Sequence, residues 1–139
     1  QKFYTYMKKK YQVDMLYYAT GYVYKYHQLY EELSNIWYTM LYKETLVLPD
    51  WTIKWNVDID IAIKAISEIK DWILKRAFLV TNDWDYNSLI KSFKEYDVFG
   101  WLISPDWRTV SKLLTRISKD IVDLQRARHL LENKKTLLS

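Results

Sequence analysis

Residues 17–30 read YYATGYVYKYHQLY, a stretch in which six of fourteen positions are tyrosine and none is acidic. Apolar or aromatic residues recur every three or four positions from Tyr4 to Met40, which is the spacing of one helix face. The pattern predicts a single helix over residues 3–44, with Gly21 as a point where it can bend. The helix is expected to end before Pro49, because proline disfavours the helical region for the residue before it.

Tyrosine also occupies the opposite side of this predicted helix. A helix with apolar residues on two sides is expected to pack against a neighbour on each side. Tyrosine suits the second contact because its ring can be buried while its hydroxyl still forms a hydrogen bond. Another subunit, a lipid surface or nucleic acid could provide that second cover. The predicted subunit-interface residues are Tyr6, Tyr17, Tyr24, Tyr38 and Tyr42.

Three further helices are predicted, over residues 58–78, 84–99 and 105–133. Asp83 and Ser104 are expected as N-terminal caps, Pro105 as a first helical residue and Gly100 as a C-terminal cap. Only two glycines and two prolines leave few turns for an all-β fold. The sequence therefore predicts an all-α, four-helix bundle. Its long Tyr-rich helix, residues 1–45, would have an N-terminal part able to project as an arm, and residues 46–139 would form the remaining helices of a single bundle domain.

Residues suited to catalysis or metal binding are sparse. The chain has no cysteine and no glycine-rich phosphate loop, and its two histidines lie far apart. Asp83, Asp85 and Asn87 match the first positions of a calcium-binding loop, but Ser88 and Lys94 stand where that loop needs Gly and Glu. Asp83 and Asp85 are therefore interpreted as helix caps. We expect no enzyme activity, no metal and no cofactor.

Positive charge is concentrated at the two ends of the chain. Net charge is +2 over residues 1–48, −3 over 49–107 and +5 over 108–139. On the predicted last helix the basic residues form one stripe, a pattern that can meet a row of phosphates. The predicted phosphate contacts are Lys2, Lys8, Lys9, Lys10 and Lys25 near the N-terminus, and Arg108, Lys112, Arg116, Lys119 and Arg126 on the last helix.

In its general character the chain resembles the major coat proteins of filamentous and rod-shaped archaeal viruses, the lipothrixvirus and rudivirus group. The likeness lies in the Lys/Tyr-rich helix 1–42, the cysteine-free body rich in Ile, Tyr and Trp, and the basic last helix 105–133. It implies a four-helix-bundle coat subunit that pairs with itself or a paralogous coat protein and wraps double-stranded DNA. In some members of that group a lipid envelope surrounds the filament.

The leading hypothesis is therefore a structural virion protein that packages double-stranded DNA without sequence preference in a helical filament. It would act in the virion, and in the host cytoplasm during assembly. Two alternatives remain open: a helical module for protein–protein or membrane-surface interaction, and a small helix-turn-helix regulator that reads DNA through residues 86–124.

Overall fold

The fold is mixed α/β, so the prediction of an all-α four-helix bundle is wrong. The computed structural model describes residues 1–117 and 119–131, and only the backbone of Ile117. The described residues form two compact units: residues 1–61 with residues 130–131, and residues 62–117 with residues 119–129. The described helices are α1 Lys2–Tyr11, α2 His27–Asn35, α3 Asp58–Lys70, α4 Asn87–Glu95, α5 Lys112–Ile117 and α6 Arg128–Leu131; the strands are β1 Leu16–Gly21, β2 Tyr38–Lys43, β3 Leu46–Val47, β4 Ile53–Lys54, β5 Ala77–Val80, β6 Phe99–Ser104 and β7 Ile121–Asp123.

In the first unit, the predicted single helix 3–44 is wrong. These residues form a helix followed by a strand–helix–strand segment. Helix α1 ends at Tyr11, where Gln12 adopts the left-handed conformation. Strands β1 and β2 then pair in parallel, from Leu16 opposite Tyr38 to Gly21 opposite Lys43, and α2 connects them. Strand β1 is LYYATG, a run of six residues in which tyrosine favours a pleated surface. Residue 45, the predicted end of the long Tyr-rich helix, thus lies between strands β2 and β3 and ends no helix.

Neither glycine has the role that the sequence suggested. Gly21 ends β1, and a Cβ at that position would lie 2.7 Å from the Thr45 Cγ2 atom and would clash with the Trp55 ring. Gly100 lies inside β6, where a Cβ would come within 2.8 Å of the Ala77 carbonyl oxygen. Neither residue has a positive φ. Both glycines therefore allow close approach of neighbouring groups, and the predictions of a helix bend at Gly21 and a helix cap at Gly100 are wrong.

Strands β3 and β4 form a short antiparallel hairpin within the first unit. The Leu48 N–H donates to the Thr52 carbonyl (2.9 Å), and the Trp51 N–H donates to the Leu48 carbonyl (2.9 Å). Trp51 is left-handed, with a φ of 64°. This is a three-residue hairpin loop with a left-handed last residue, a position that glycine usually holds.

Helix α3 begins at Asp58, as predicted, but it ends at Lys70 instead of reaching residue 78. Trp72 is left-handed at the end of the helix (φ 60°), and the N–H groups of Ile73 and Leu74 both donate to the Glu68 carbonyl. The chain then enters β5, where the sequence predicts the end of the helix and a loop after it.

The second unit contains a three-stranded parallel sheet in the order β5–β6–β7. The predicted helix 84–99 is shorter, with a 3₁₀ turn at Trp84–Tyr86 followed by α4. The predicted helix 105–133 is wrong, because β7 lies between α5 and α6; its residues 118, 132 and 133 lie outside the described part. The core of the sheet includes side chains with no exposed surface: Ile90, Leu102, Ile103 and Leu114.

The two units repeat one arrangement of strand, 3₁₀ turn, helix and strand. The turn Tyr24–Tyr26 and helix α2 in the first unit match the turn Trp84–Tyr86 and helix α4 in length, 60 residues apart. Each helix has nine residues, and each is followed two residues later by a left-handed residue, Trp37 or Asp97. This internal repeat was not visible in the sequence pattern.

No helix in the described part of the chain is both long and apolar enough to cross a membrane.

Candidate functional site

A network of polar side chains joins the loops at the carboxyl end of the β5–β6–β7 sheet. The Ser104 hydroxyl, which is fully buried, donates to the Asn82 Oδ1 atom at 2.7 Å. The Asn82 amide in turn donates to the Asp106 carbonyl oxygen at 3.1 Å and to the Thr109 hydroxyl. Asn82 therefore connects the loop after β5 with the loop after β6, and Ser104 is not the helix cap that the sequence predicted.

An aspartate follows or ends each of these three strands and caps the 3₁₀ turn that comes next. Asp83, Asp106 and Asp123 accept from the N–H groups of Asp85, Arg108 and Gln125, each at 3.0 Å. Such contacts satisfy the free N–H groups at the start of a helical turn. The predicted capping role of Asp83 is confirmed, whereas that of Asp85 is wrong, because Asp85 lies inside the turn and its N–H donates to Asp83. Asp106 caps the turn after β6, where Ser104 was expected to act as the cap.

Arg108 forms a two-pronged ion pair with Asp106. Its Nε atom lies 3.0 Å from Asp106 Oδ1, and its Nη2 atom lies 2.7 Å from Oδ2. Hydrogen bonding to the Arg108 side chain, and to its backbone, holds the pKa of the Asp106 carboxyl below the ordinary value. Ligands of open α/β sheets often bind at the carboxyl end of the strands. Here the polar groups of that end bond to one another, so they hold the loops in place.

The first unit presents exposed aromatic side chains, as the second unit also does at Trp72, Tyr96 and Trp107. Tyr24 is 80% exposed and stacks on His27, with ring centroids 6.0 Å apart. Trp37 is 77% exposed and Trp51 is 84% exposed, and both are left-handed, with φ values of 76° and 64°. A bulky residue with a positive φ is a backbone outlier, and such strain is often found at functional sites. We call Tyr24, Trp37 and Trp51 the aromatic surface residues of the first unit.

The five predicted interface tyrosines differ in exposure. Tyr24 and Tyr42 are exposed, and the Tyr42 ring contacts those of Tyr22 and Tyr30 at 5.4 Å between centroids. Tyr17 and Tyr38 are half-buried, whereas Tyr6 is buried. The predicted single helix face that would hold them together is wrong, because they lie on α1, β1, β2 and the 3₁₀ turn before α2. Their role in a subunit interface stays a prediction.

The predicted N-terminal cations lie mainly on α1. Lys8 Nζ bonds to the Tyr4 hydroxyl at 3.3 Å, and Lys10 Nζ to the Tyr6 hydroxyl at 3.0 Å. The pKa of Lys10 is raised, chiefly by this bond to Tyr6. Lys25 Nζ lies 5.8 Å from the centre of the Tyr26 ring. All five predicted cations have exposed side chains: Lys2, Lys8, Lys9, Lys10 and Lys25.

The predicted basic stripe 108–126 is not a face of one helix. Only Lys112 and Arg116 share a helix, α5, while Lys119 lies in a loop and Arg126 in the 3₁₀ turn before α6. Arg108 bonds to Asp106, as described above. The other four side chains are exposed, and the described contacts include no ion pair for them.

The sequence pattern did not predict the exposure of Trp37 and Trp51, or the hairpin that carries Trp51. The signal for the hairpin was present in Pro49-Asp50, a typical start of a turn, between two short β-branched or apolar runs. No sequence signal marked Trp37, because left-handed positions normally hold Gly or Asn.

Comparison with known proteins supports the fold and leaves the function open. No model of a known protein family matches the chain, and no curated protein matches it either. A solved structure from Vibrio parahaemolyticus, a protein of unknown function, is similar with a TM-score of 0.60 and 18% sequence identity. The match covers 87% of this chain and 85% of that one, so the mixed α/β fold is shared with it.

Proposed function

We propose that the chain is a non-catalytic assembly protein that associates with other copies of itself through its first unit. The observation that supports this proposal is the exposure of Tyr24, Trp37 and Trp51. Tyrosine and tryptophan dominate the energetics of protein interfaces when they become buried. Trp37 and Trp51 also occupy strained backbone positions and do not contribute to the core. Contact with another molecule therefore explains the presence of tryptophan at these positions better than a contribution to the stability of the fold does.

The test compares exposed aromatic residues of the two units. Tyr24→Ser with Trp37→Asn removes two aromatic surface residues and places asparagine where a left-handed backbone favours it. Tyr96→Ser is the matched control, because Tyr96 is also an exposed aromatic residue, but in the second unit. Sedimentation velocity over a micromolar to near-millimolar concentration series measures association, and negative-stain microscopy shows any filament.

We expect the unchanged chain to associate, and the double variant to need at least about tenfold more protein for the same degree of association. The control should associate as the unchanged chain does. A chain that stays monomeric throughout the series contradicts the proposal, as does an equal loss in the Tyr96→Ser control.

A second candidate function is packaging of double-stranded DNA by the assembled protein, as a virion subunit would do. The observation that favours it is the exposure of Lys9, Lys112, Arg116, Lys119 and Arg126 without an ion pair in the described contacts. A single copy presents few charges, but several copies side by side would add their fields.

Duplex binding at several salt concentrations tests this candidate. Each phosphate contact adds about 0.9 to the slope of the logarithm of the binding constant against the logarithm of the salt concentration. Lys112→Gln with Arg116→Gln should therefore reduce this slope by about 2 per subunit. A slope near zero for the unchanged chain would contradict DNA packaging and leave self-assembly in place.

A further inference from the structure

The β3–β4 hairpin, residues 46–54, exposes apolar side chains on a very small element. Leu46 is 71% exposed and Val47 is 60% exposed, and Trp51 protrudes from the loop. A two-stranded hairpin by itself is marginally stable in water and gains stability from further strands or from packing. Its exposed apolar residues therefore suit a contact that extends the sheet.

The register of the hairpin shows which backbone groups are available for such a contact. Leu48 bonds across the hairpin to Thr52, and Val47 is opposite Ile53. In an antiparallel ladder, residues alternate between bonding to the partner strand and pointing away from it. The backbone groups of Thr45 and Val47 therefore point outward from β3, and those of Ile53 point outward from β4.

Charge distinguishes the two edges of this hairpin. Residues 45–49, the β3 side, read TLVLP and carry no charge. The β4 strand contains Lys54, and lysine on an edge strand is a common means of opposing strand-to-strand association. The β3 edge is thus the one suited to receive another strand.

We propose that β3 pairs in antiparallel fashion with β3 of a second copy, giving a four-stranded sheet across a two-fold axis. The pairing rests on the proposed self-assembly and names the surface that carries it. A two-fold contact uses the same residues on both copies, so a strand edge without charge is compatible with itself.

Charge also selects the register of the pairing. If Val47 faced Val47 of the second copy, Glu44 would lie opposite Asp50, and like charges directly opposite are destabilising. With Leu46 facing Leu46, Glu44 lies opposite Leu48 and Asp50 lies opposite Tyr42. This register also brings Thr45 opposite Val47 on both sides of the axis, so the outward backbone groups meet in two hydrogen-bonded pairs.

Single-cysteine variants test this register, because the chain has no cysteine of its own. Leu46→Cys places two thiols across the axis at a non-hydrogen-bonded position, where Cα atoms lie about 4.5 Å apart and a disulfide can close. Lys54→Cys is the matched control, since Lys54 is the cross-strand partner of Leu46 on the other edge. Under mild oxidation, Leu46→Cys should form covalent dimers at least about tenfold faster than Lys54→Cys.

Two proline variants test the edge without relying on a thiol. Val47→Pro removes an outward N–H from β3, whereas Ile53→Pro removes the corresponding N–H from β4, and neither residue donates across the hairpin. In sedimentation velocity, Val47→Pro should abolish association through the hairpin while Ile53→Pro leaves it unchanged. Circular dichroism confirms that each variant is folded.

The outcomes separate the pairing from the proposed function. Faster cross-linking of Leu46→Cys together with loss of association in Val47→Pro supports the pairing. Association that survives Val47→Pro, or equal cross-linking of the two cysteine variants, overturns the pairing and leaves self-assembly through another surface. A monomeric unchanged chain overturns both.

Discussion

The two units share a strand–turn–helix–strand backbone and differ in what their side chains do with it. At the position 60 residues apart where the 3₁₀ turns begin, Val23 in the first unit corresponds to Asp83 in the second. Asp83 caps its turn with a carboxylate, whereas the N–H of Val23 donates to the Tyr30 hydroxyl at 3.3 Å. Tyr30 also donates to the Gly21 carbonyl at 3.2 Å. A buried tyrosine thus makes contacts at the end of β1 in the first unit, where the second unit uses short polar residues.

This difference shows that one backbone arrangement can be completed in two chemical ways. The second unit bonds its polar groups to one another around Asn82 and buries aliphatic side chains. The first unit relies on contacts between tyrosine rings, whereas exposed aromatic residues occur in both units. We therefore expect the second unit to lose stability when its aliphatic core is changed, and the first when its tyrosine contacts are changed.

The largest effect on stability is expected at Ile90, which holds the same position in α4 as Tyr30 holds in α2. Ile90→Ala removes a fully buried side chain and should lower the free energy of unfolding by about 3 kcal/mol, through lost burial and the cavity left behind. Tyr30→Phe keeps the ring and loses only its hydroxyl bonds, so about 1 kcal/mol is expected. Chemical denaturation measures both, and equal losses would show that the two helices are not held in different ways.

A loss of intermediate size is expected at the polar network of the second unit. Asn82→Ala leaves the buried Ser104 hydroxyl without its acceptor and should cost about 2 kcal/mol. Adding Ser104→Ala removes that unsatisfied group, so the double variant should lose less than the sum of the two single variants. Strict additivity in this double-mutant cycle would contradict direct coupling between Asn82 and Ser104.

A gain in stability is expected at the left-handed position of the first unit. Trp37→Asn relieves a conformation that costs most residues about 1 kcal/mol and removes a side chain that is mostly exposed. The melting temperature should rise while self-association falls. The corresponding change in the second unit, Asp97→Ala, should lower the melting temperature, since aspartate tolerates this conformation better than alanine.

The smallest effects concern pH, where the units should differ in direction. Burial raises the pKa of Tyr38, so its contribution to stability is full below the ordinary tyrosine value near 10 and is lost as pH rises above it. Tyr38→Phe should reduce the loss of stability at alkaline pH.

Arg108 lowers the pKa of the Asp106 carboxyl, so the contribution of this ion pair to stability is present above the ordinary aspartate pKa and is lost as pH falls. Asp106→Asn should therefore weaken the dependence of stability on pH in the acidic range. Melting curves across pH measure both, and unchanged slopes would contradict these assignments.

The sequence predicted local features of the fold better than its class. The start of α3 at Asp58 and the cap at Asp83 were predicted correctly, because each depends on residues adjacent in the chain. The class was wrong because tyrosine and other apolar residues are so frequent in residues 3–44 that a spacing of three or four can be found by choosing among them. The same residues form six-residue runs, LYYATG and YTMLYK, that suit parallel strands.

The candidate sites depended on contacts that no local pattern reveals. Asn82, Ser104 and Thr109 meet only because parallel strands bring their carboxyl ends to one edge. The basic residues 108–126 were placed on one helix, and the strand Ile121–Asp123 that interrupts them depends on pairing with β6. Exposure of Tyr24 agrees with its predicted place in an interface, although its function there stays a prediction.

The left-handed backbone positions have a consequence for directed evolution of this chain. Among the described residues, five that are not glycine adopt a positive φ, and three of them are tryptophans, at positions 37, 51 and 72. A laboratory screen that rewards only heat resistance should replace these tryptophans early with asparagine or glycine. A screen that rewards assembly should keep Trp37 and Trp51, so sequencing the survivors of the two screens would separate residues kept for folding from residues kept for association.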